Sequence, residues 1–136
     1  MKKTIYTVLF LMVITISLMV CEKSNKGSIT GQIKGIDSPS FLIDQQTVSL
    51  DGQGNFQFVL QIDKPRYVEI DYGKVIAVFI KPGDALHVSI DGSKEINEGI
   101  RFSGDNTAIN QLLLQEAIQS QRLNEEFKNT FMELIL

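Results

Sequence analysis

The sequence predicts a mainly β protein: an antiparallel β-sandwich of about eight short strands, preceded by a signal peptide helix and followed by a C-terminal helical segment. Three observations predict this fold class. Short apolar runs alternate with polar residues from residue 28 onward, as half-buried strands do. Turn-forming residues separate these runs about every ten residues. No run with helical periodicity lies between them before residue 105, which argues against alternating β and α units.

The first 20 residues have the composition of a secretory signal. Lys2 and Lys3 form a short cationic head, and an almost unbroken apolar stretch extends from Ile5 to Val20. The stretch is short for a membrane span and lies at the N-terminus, as signal peptides do. It is followed by Cys21, the only cysteine in the chain.

The residues Leu18-Met19-Val20-Cys21 resemble the lipobox of bacterial lipoproteins, in which an aliphatic residue stands three positions before the cysteine. The resemblance implies that Cys21 carries lipid and that residues 1–20 are removed. Two or three acyl chains give stable anchoring because each buried methylene contributes about 0.8 kcal/mol. Val20 departs from the pattern, since glycine, alanine or serine is commoner there. The alternative is an uncleaved transmembrane anchor in which Cys21 has no role.

The rest of the sequence has the size of one domain and an acidic composition. The signal segment holds two of the 13 basic residues and none of the 16 acidic ones. The remainder is therefore more acidic than the whole chain, whose formal net charge is −3. Because nucleic-acid binding depends on neutralising phosphates, we expect no nucleic-acid partner. A single cysteine that carries lipid also leaves no thiol for a disulfide.

Residues 21–27 are polar and aperiodic, which predicts a flexible tether, and residues 28–104 form the predicted sandwich domain. The predicted strands are 28–34, 41–43, 47–50, 56–61, 67–71 and 74–80, then one around Leu86, Val88 and Ile90 and one around Ile100 and Phe102.

The fine features of this domain are predicted from local patterns. Residues 75–80 are apolar on both faces, which predicts a central strand. A hairpin connection is expected at residues 51–55, and a tight turn at Tyr72-Gly73. A type II turn is expected at residues 81–84, because proline and glycine occupy its central positions.

Residues 105–136 change to helical periodicity and are predicted to form a helical segment. Asp105, Asn106 or Thr107 can cap its start. An apolar stripe is interrupted at residues 119–122 and then resumes; it consists of Ala108, Ile109, Leu112, Leu113, Ala117 and Ile118, then Leu123, Phe127, Phe131 and Leu134. The second group is a candidate partner-binding surface, and the alternative is packing against the sandwich or a missing domain. Because the segment ends on aliphatic residues, we expect a truncated linker to a further domain.

Several motifs occur in an order that resembles one lipoprotein family. They are Gly31 to Ile36, Asp51 to Phe58, Val78 to Asp84, and Phe102 to Asn106 before a helix. Together they resemble the N-terminal domain of Bacteroidetes-type lipoproteins that carry a thioredoxin-like domain further on, and the resemblance covers nearly all of the chain after Cys21. It implies a β-sandwich of unknown function, a helical segment, and then a thiol–disulfide oxidoreductase domain similar to cytochrome c maturation and peroxiredoxin-like proteins.

The catalytic residues of that family do not map onto this sequence. Its chemistry depends on a Cys-x-x-Cys pair, in which one thiolate attacks a disulfide. The sequence contains one cysteine and therefore no such pair. We predict that the chain, as given, is the non-catalytic part.

No other catalytic, cofactor-binding or metal site is predicted. His87 has no second histidine or unmodified cysteine to complete a metal site, so an exposed strand residue is expected. Gly104 stands alone before the helix and does not make a phosphate-binding loop. Tyr67 and Tyr72 near Arg66 are candidates for a ligand surface, although exposure on a strand is the preferred interpretation. Turn formation is likewise preferred to acid–base chemistry or calcium binding for six aspartates: Asp44, Asp51, Asp63, Asp71, Asp84 and Asp91.

The sequence therefore predicts a lipid-anchored accessory domain that tethers or positions a thioredoxin-like oxidoreductase in the bacterial cell envelope. The expected location is the outer membrane, facing the periplasm. Its expected partners are the membrane, through Cys21, and a protein that contacts Leu123, Phe127, Phe131 and Leu134; no cofactor is expected. The alternative is a free-standing binding lipoprotein that recognises a protein or a glycan through its loops or a sheet edge.

Overall fold

A computed structural model describes residues 24–135. In this range the strands are β1 (Lys26–Lys34), β2 (Ser40–Ile43), β3 (Gln46–Ser49), β4 (Asn55–Gln61), β5 (Arg66–Asp71), β6 (Val75–Ile80), β7 (Ala85–Asp91) and β8 (Ile100–Gly104). A short helix, α1 (Ile96–Gly99), precedes β8, and a long helix, α2 (Thr107–Ile135), follows it. The predicted mainly β fold with a C-terminal helix is confirmed. The predicted signal segment and Cys21 lie outside the described residues.

The strands form two four-stranded sheets. Sheet A has the strand order β4-β1-β7-β8, and sheet B has the order β3-β2-β5-β6. All pairings are antiparallel except that of β1 with β7, which is parallel. Between these two strands the chain crosses to sheet B and back twice, and a parallel pair requires such a long connection. β1 begins at Lys26, so the last two residues of the predicted tether belong to this strand.

Alternate side chains of both sheets fill the core between them. In β4, for example, Phe56, Phe58 and Leu60 are buried, whereas Gln57 and Val59 are exposed. The least exposed core side chains are those of Ile29, Ile43, Val68, Ile70, Val78, Ile80, Leu86, Val88 and Ile90. The period-two pattern of the sequence therefore identifies the inward face of these strands.

The prediction that residues 75–80 form a central strand is wrong. β6 is an edge strand of sheet B, and the outward side chain of Val75 is 54% exposed. On its outward face Phe79 packs against Tyr67, and α2 contacts the edge of β6 through Asn110. Phe79 on this face is half-buried.

The turn at residues 51–55 is tight, but it does not join paired strands. The N–H of Asp51 donates to the carbonyl of Asn55 at 3.0 Å, yet β3 and β4 lie in different sheets. The type II turn at residues 81–84 is present: the N–H of Asp84 donates to the carbonyl of Lys81 at 3.1 Å, and Gly83 has a φ of 87°. The turn at Tyr72-Gly73 joins the paired strands β5 and β6, as predicted.

Helix α2 covers one side of the sandwich. It packs against β6 and β8, which are the edge strands of the two sheets. Leu114 is 3% exposed and belongs to the core cluster. Asn110 is fully buried, and its side chain accepts a hydrogen bond from the N–H of Phe79 at 2.6 Å and donates one to the carbonyl of Phe79 at 3.2 Å. These two bonds satisfy backbone groups at the edge of β6 that a further strand would otherwise pair.

The predicted first half of the apolar stripe coincides only in part with the face of α2 that packs on the sandwich, because Ile118 packs against the core and Leu113 is half-buried. Ile109 is 43% exposed and Leu112 is 57% exposed, whereas Asn110 and Leu114 are buried. The helix is also continuous through residues 119–122, where the stripe is interrupted. The side chains of Asp105 and Asn106, predicted to cap α2, instead bind the N–H of Ala85 and the side chain of Asp84.

Candidate functional site

The second half of α2 carries the most exposed apolar surface of the described chain. We define its distal face as Leu123, Phe127, Phe131 and Leu134, whose spacing of four, four and three residues places them on one side of a helix. Their side chains are 65%, 73%, 52% and 80% exposed, in that order. The rings of Phe127 and Phe131 stack with their centroids 6.2 Å apart. The four predicted partner-binding residues are therefore brought together on one exposed surface.

The other sides of this half-helix are mainly polar and charged. Glu125, Glu126, Lys128 and Glu133 are all exposed. The side chain of Gln121 donates a hydrogen bond to Glu125 at 3.4 Å, within the same helix. The second half of α2 is therefore amphipathic without a packing partner in the described chain, which is typical of an interaction surface.

Helix α2 starts at the same end of the sandwich as β1, the first strand of the described chain. The N–H of Ser28 in β1 donates to the carbonyl of Asp84 at 2.9 Å. The side chain of Asn106, next to the first residue of α2, donates to the side chain of the same Asp84. The starts of β1 and α2 therefore lie close together.

The distal face lies at the opposite end of the sandwich. Helix α1 follows the end of β7, and its residue Ile96 lines a recess with Ile118 and Arg122 of α2. A seven-residue strand such as β7 extends over about 23 Å, whereas the 29 residues of α2 extend over about 44 Å. About the first half of α2 therefore runs alongside the sandwich, and the second half extends beyond it.

His87 lies on the outer face of sheet A, where the neighbour pattern predicted it. Its side chain is exposed, and its Nδ1 atom is 3.2 Å from the hydroxyl oxygen of Thr30. Within residues 24–135, no three histidine, cysteine, aspartate or glutamate side chains converge as metal ligands.

The aspartates mostly bind groups of their own turns. The Asp51 carboxylate accepts hydrogen bonds from the N–H groups of Asn55 at 2.8 Å and Gln53 at 2.9 Å. These bonds, with that of Asn55 first, lower the pKa of Asp51. The hydroxyl and the N–H of Ser93 lower the pKa of Asp91 in the same way, with help from Lys94 and Lys34. Similar bonds join Asp71 to the N–H of Gly73 and Asp84 to the N–H of Lys81, whereas Asp44 forms an ion pair with Arg66 of β5.

The aromatic candidates do not form one ligand surface. Tyr67 points outward from sheet B and packs against Phe79 with ring centroids 5.5 Å apart. Tyr72 is buried, and burial, followed by the charge of Glu95, raises its pKa. Gly104 is needed for close backbone approach, since a Cβ atom there would lie 2.4 Å from the carbonyl oxygen of Ala85.

Asn110 was not singled out by the sequence, although it organises the contact between α2 and sheet B. The sequence does contain a relevant pattern, because Asn110, Leu114 and Ile118 recur at intervals of four residues. A polar residue in the same row as such apolar residues is expected to be buried with them, and its side chain then needs hydrogen-bond partners.

No protein-family model, curated protein or solved structure matches this chain. Within residues 24–135, no helix is long and apolar enough to cross a membrane.

Proposed function

We propose that this chain is a non-catalytic accessory domain of the bacterial cell envelope, anchored by lipid on Cys21, that positions a thioredoxin-like thiol–disulfide oxidoreductase domain. The anchor is proposed to lie in the outer membrane, facing the periplasm. The observation that supports the proposal most is the distal face of α2, which has no packing partner among the described residues. The occupant that we propose for it is the oxidoreductase domain implied by the family resemblance.

The positions of the two attachment points support a spacer role. Cys21 precedes the first described residue by three positions, so an anchor there attaches near the start of β1. The distal face lies at the other end of the sandwich. A domain bound to it would be held beyond the far end of the sandwich, more than about 23 Å from the anchor, the length of a seven-residue strand, by a folded body instead of a flexible linker.

The size of the distal face is sufficient for docking within an assembly. Full burial of a leucine or phenylalanine side chain contributes about 1.5–3 kcal/mol. Four such side chains would stabilise a contact between domains that are already tethered, because tethering raises their effective concentration.

The first experiment tests the anchor. The full chain and its Cys21→Ser variant are expressed in the cell envelope of a bacterium, and the membrane and soluble fractions are separated. We expect Cys21→Ser to leave the membrane fraction or to remain an uncut precursor, whereas the neighbouring Ser24→Ala variant behaves like the parent. Unchanged processing and membrane binding of Cys21→Ser would overturn the anchor.

The second experiment tests the partner. The coding region beyond Leu136 is sequenced, and a segment that encodes a Cys-x-x-Cys thioredoxin-like domain is expected, in frame or frameshifted. Its absence would replace the proposal with the free-standing binding lipoprotein.

The encoded domain is then titrated with the full chain. Phe127→Ser combined with Phe131→Ser should abolish binding, whereas Lys128→Ser on the same helix should preserve it. Equal binding by all variants would remove the distal face from the proposal. The chain without the added domain should not reduce insulin disulfides, and measurable turnover would contradict the accessory role.

A further inference from the structure

The outer edges of the two sheets differ in how they are protected. The edges of β6 and β8 lie on the side where α2 packs, and Asn110 binds the backbone of Phe79 there. β3 has only four residues. β4, with seven residues, is the longest of the four edge strands and lies on the side opposite β8 in sheet A. Its edge is therefore the most accessible to another strand.

The hydrogen bonds around β4 show which of its backbone groups point outward. The carbonyl of Gly54 accepts from the N–H of Ile33 at 2.8 Å, and the N–H of Ile62 donates to the carbonyl of Asn25 at 2.8 Å. Both bonds point toward β1. Because the two groups of a strand residue point to the same side and alternate along an antiparallel pair, even-numbered residues of β4 face β1 and odd-numbered residues face outward.

Only three of these outward residues are available for pairing. At Asn55, the N–H donates to the carboxylate of Asp51 at 2.8 Å, and the carbonyl accepts from the N–H of Asp51 at 3.0 Å. The remaining outward groups are those of Gln57, Val59 and Gln61, and no residue between 24 and 135 lies in register to pair with them. They present three N–H donors and three carbonyl acceptors in a row.

β4 also lacks the features that normally protect an edge. It contains no lysine or other charged residue and no proline, and its pairing with β1 runs without a bulge. Natural edge strands usually carry one of these features to prevent pairing with another chain. Val59, in the middle of the available segment, is 51% exposed.

We propose that β4 pairs with β4 of a second copy of this chain, antiparallel and around a two-fold axis at Val59. This register is favoured because it is the one that pairs all three outward residues, 57, 59 and 61, whereas a shifted register pairs fewer of them. Val59 then pairs with Val59 of the second copy, and Gln57 pairs with Gln61 of the second copy on each side. The pairing would form about six backbone hydrogen bonds and join two sheets A into one continuous sheet.

The side chains match in the same register, which favours a second copy over an unrelated strand. On the outer face, glutamine lies opposite glutamine and valine opposite valine. On the inner face, Phe58 lies opposite Leu60 of the second copy, so apolar side chains meet apolar ones. No like charges face each other, because the strand is uncharged. Helix α2 lies on the other side of the sandwich and does not obstruct the contact.

Disulfide crosslinking tests the register. In the full chain carrying Cys21→Ser, Val59→Cys introduces the only thiol, and Ser89→Cys is the control on the same outer face within the interior strand β7. Opposed residues of a hydrogen-bonded pair have Cα atoms about 5.5 Å apart, a distance that a disulfide can join. Mild oxidation in detergent should convert Val59→Cys to a covalent dimer and leave Ser89→Cys monomeric. Equal crosslinking of the two, or none of Val59→Cys, would overturn the register.

Sedimentation equilibrium of the detergent-solubilised full chain tests the dimer itself. We expect the mass of two chains for the parent and for Ser89→Lys, and of one chain for Val59→Lys, because the two introduced lysines would face each other. Circular dichroism checks that both variants are folded. A monomeric parent overturns the proposal, as does a dimer that persists in Val59→Lys or is lost instead in Phe127→Ser. Because these readouts do not depend on lipid or on an oxidoreductase, their failure is separate from that of the proposed function.

Discussion

At the scale of single residues, Asn110 connects the helix to the sandwich. A strand edge next to an apolar helix leaves N–H and carbonyl groups without water or a partner strand. Asn110 supplies one acceptor and one donor to the two groups of Phe79. A primary amide is well suited to this position, because it carries both kinds of group on one planar end.

Replacing Asn110 should therefore destabilise the fold more than its size implies. Asn110→Ala leaves two partly buried backbone groups of Phe79 unpaired, and a fully buried group of this kind costs about 1–3 kcal/mol. We expect a loss of about 2–4 kcal/mol in the free energy of unfolding, measured by urea denaturation. Asn129→Ala, on the exposed part of the same helix, is the control and should change stability by less than about 0.5 kcal/mol. Equal losses in the two variants would show that the hydrogen bonds of the Asn110 side chain do not contribute to stability.

Asp51 should make the stability of the turn at residues 51–55 depend on pH. Hydrogen bonds from Asn55 and Gln53 favour the ionised carboxylate and hold its pKa below the ordinary 3.8. A lowered pKa in the folded chain gives a stabilisation that is complete above 3.8 and is lost as the pH falls through the lowered value.

The check is the free energy of unfolding of the parent and of Asp51→Asn, measured from about pH 6 to about pH 2. The charged carboxylate should give the parent a higher free energy of unfolding than Asp51→Asn. This difference should be constant at the higher pH values and should decline as the solution becomes more acidic. A difference that does not vary with pH would contradict this role of Asp51.

At the scale of elements, α2 shows what the helical pattern could and could not predict. The pattern predicted a helix in the right place, because apolar residues recur every three or four positions. It predicted the packed face only in part, through Ile118, because Ile109 and Leu112 look as suitable for burial as Leu114 does. Which face packs depends on the gap between β6 and β8, and that gap exists only after the two sheets have assembled.

A matched pair of leucine variants tests this assignment. Leu114→Ala removes a core side chain that is 3% exposed and should cost about 2–5 kcal/mol. Leu112→Ala makes the same chemical change two residues earlier, where the side chain is 57% exposed, and should cost less than about 0.5 kcal/mol. Thermal or urea unfolding of both variants measures the difference. A larger loss for Leu112→Ala would mean that the other face of α2 packs on the sandwich.

At the scale of the whole molecule, local sequence patterns predicted where the strands lie better than they predicted which strands pair with each other. Most strand positions were predicted from the alternation of apolar and polar residues, since this alternation results when one face of a strand is buried. The turn at residues 51–55 was predicted as a hairpin connection, but it leads from one sheet to the other. Turn residues specify the local bend, and the choice of sheet is made by the packing of the whole core. The four residues of the distal face were predictable because an apolar stripe is visible in the sequence whether or not another surface packs against it.

The architecture also predicts that α2 does not unfold as one unit. Its first half shares core contacts with the sandwich through Leu114, whereas residues 123–135 make their backbone hydrogen bonds without tertiary packing. Helical segments of about 12–15 residues are marginally stable in water on their own. Amide hydrogens of residues 123–135 should therefore exchange much faster than those of residues 110–118, whose opening is coupled to that of the sandwich.

Hydrogen exchange followed by mass spectrometry measures this difference on the full chain in detergent. Phe127→Ser should leave exchange in the sandwich unchanged, because that side chain is 73% exposed and supports no core contact. Leu114→Ala should instead speed exchange in both the first half of α2 and β6. Uniform slow exchange along all of α2 would require a contact that covers the distal face, and Phe127→Ser should then abolish the added protection. The distal half of α2 would in that case be stabilised by association and not by its own fold.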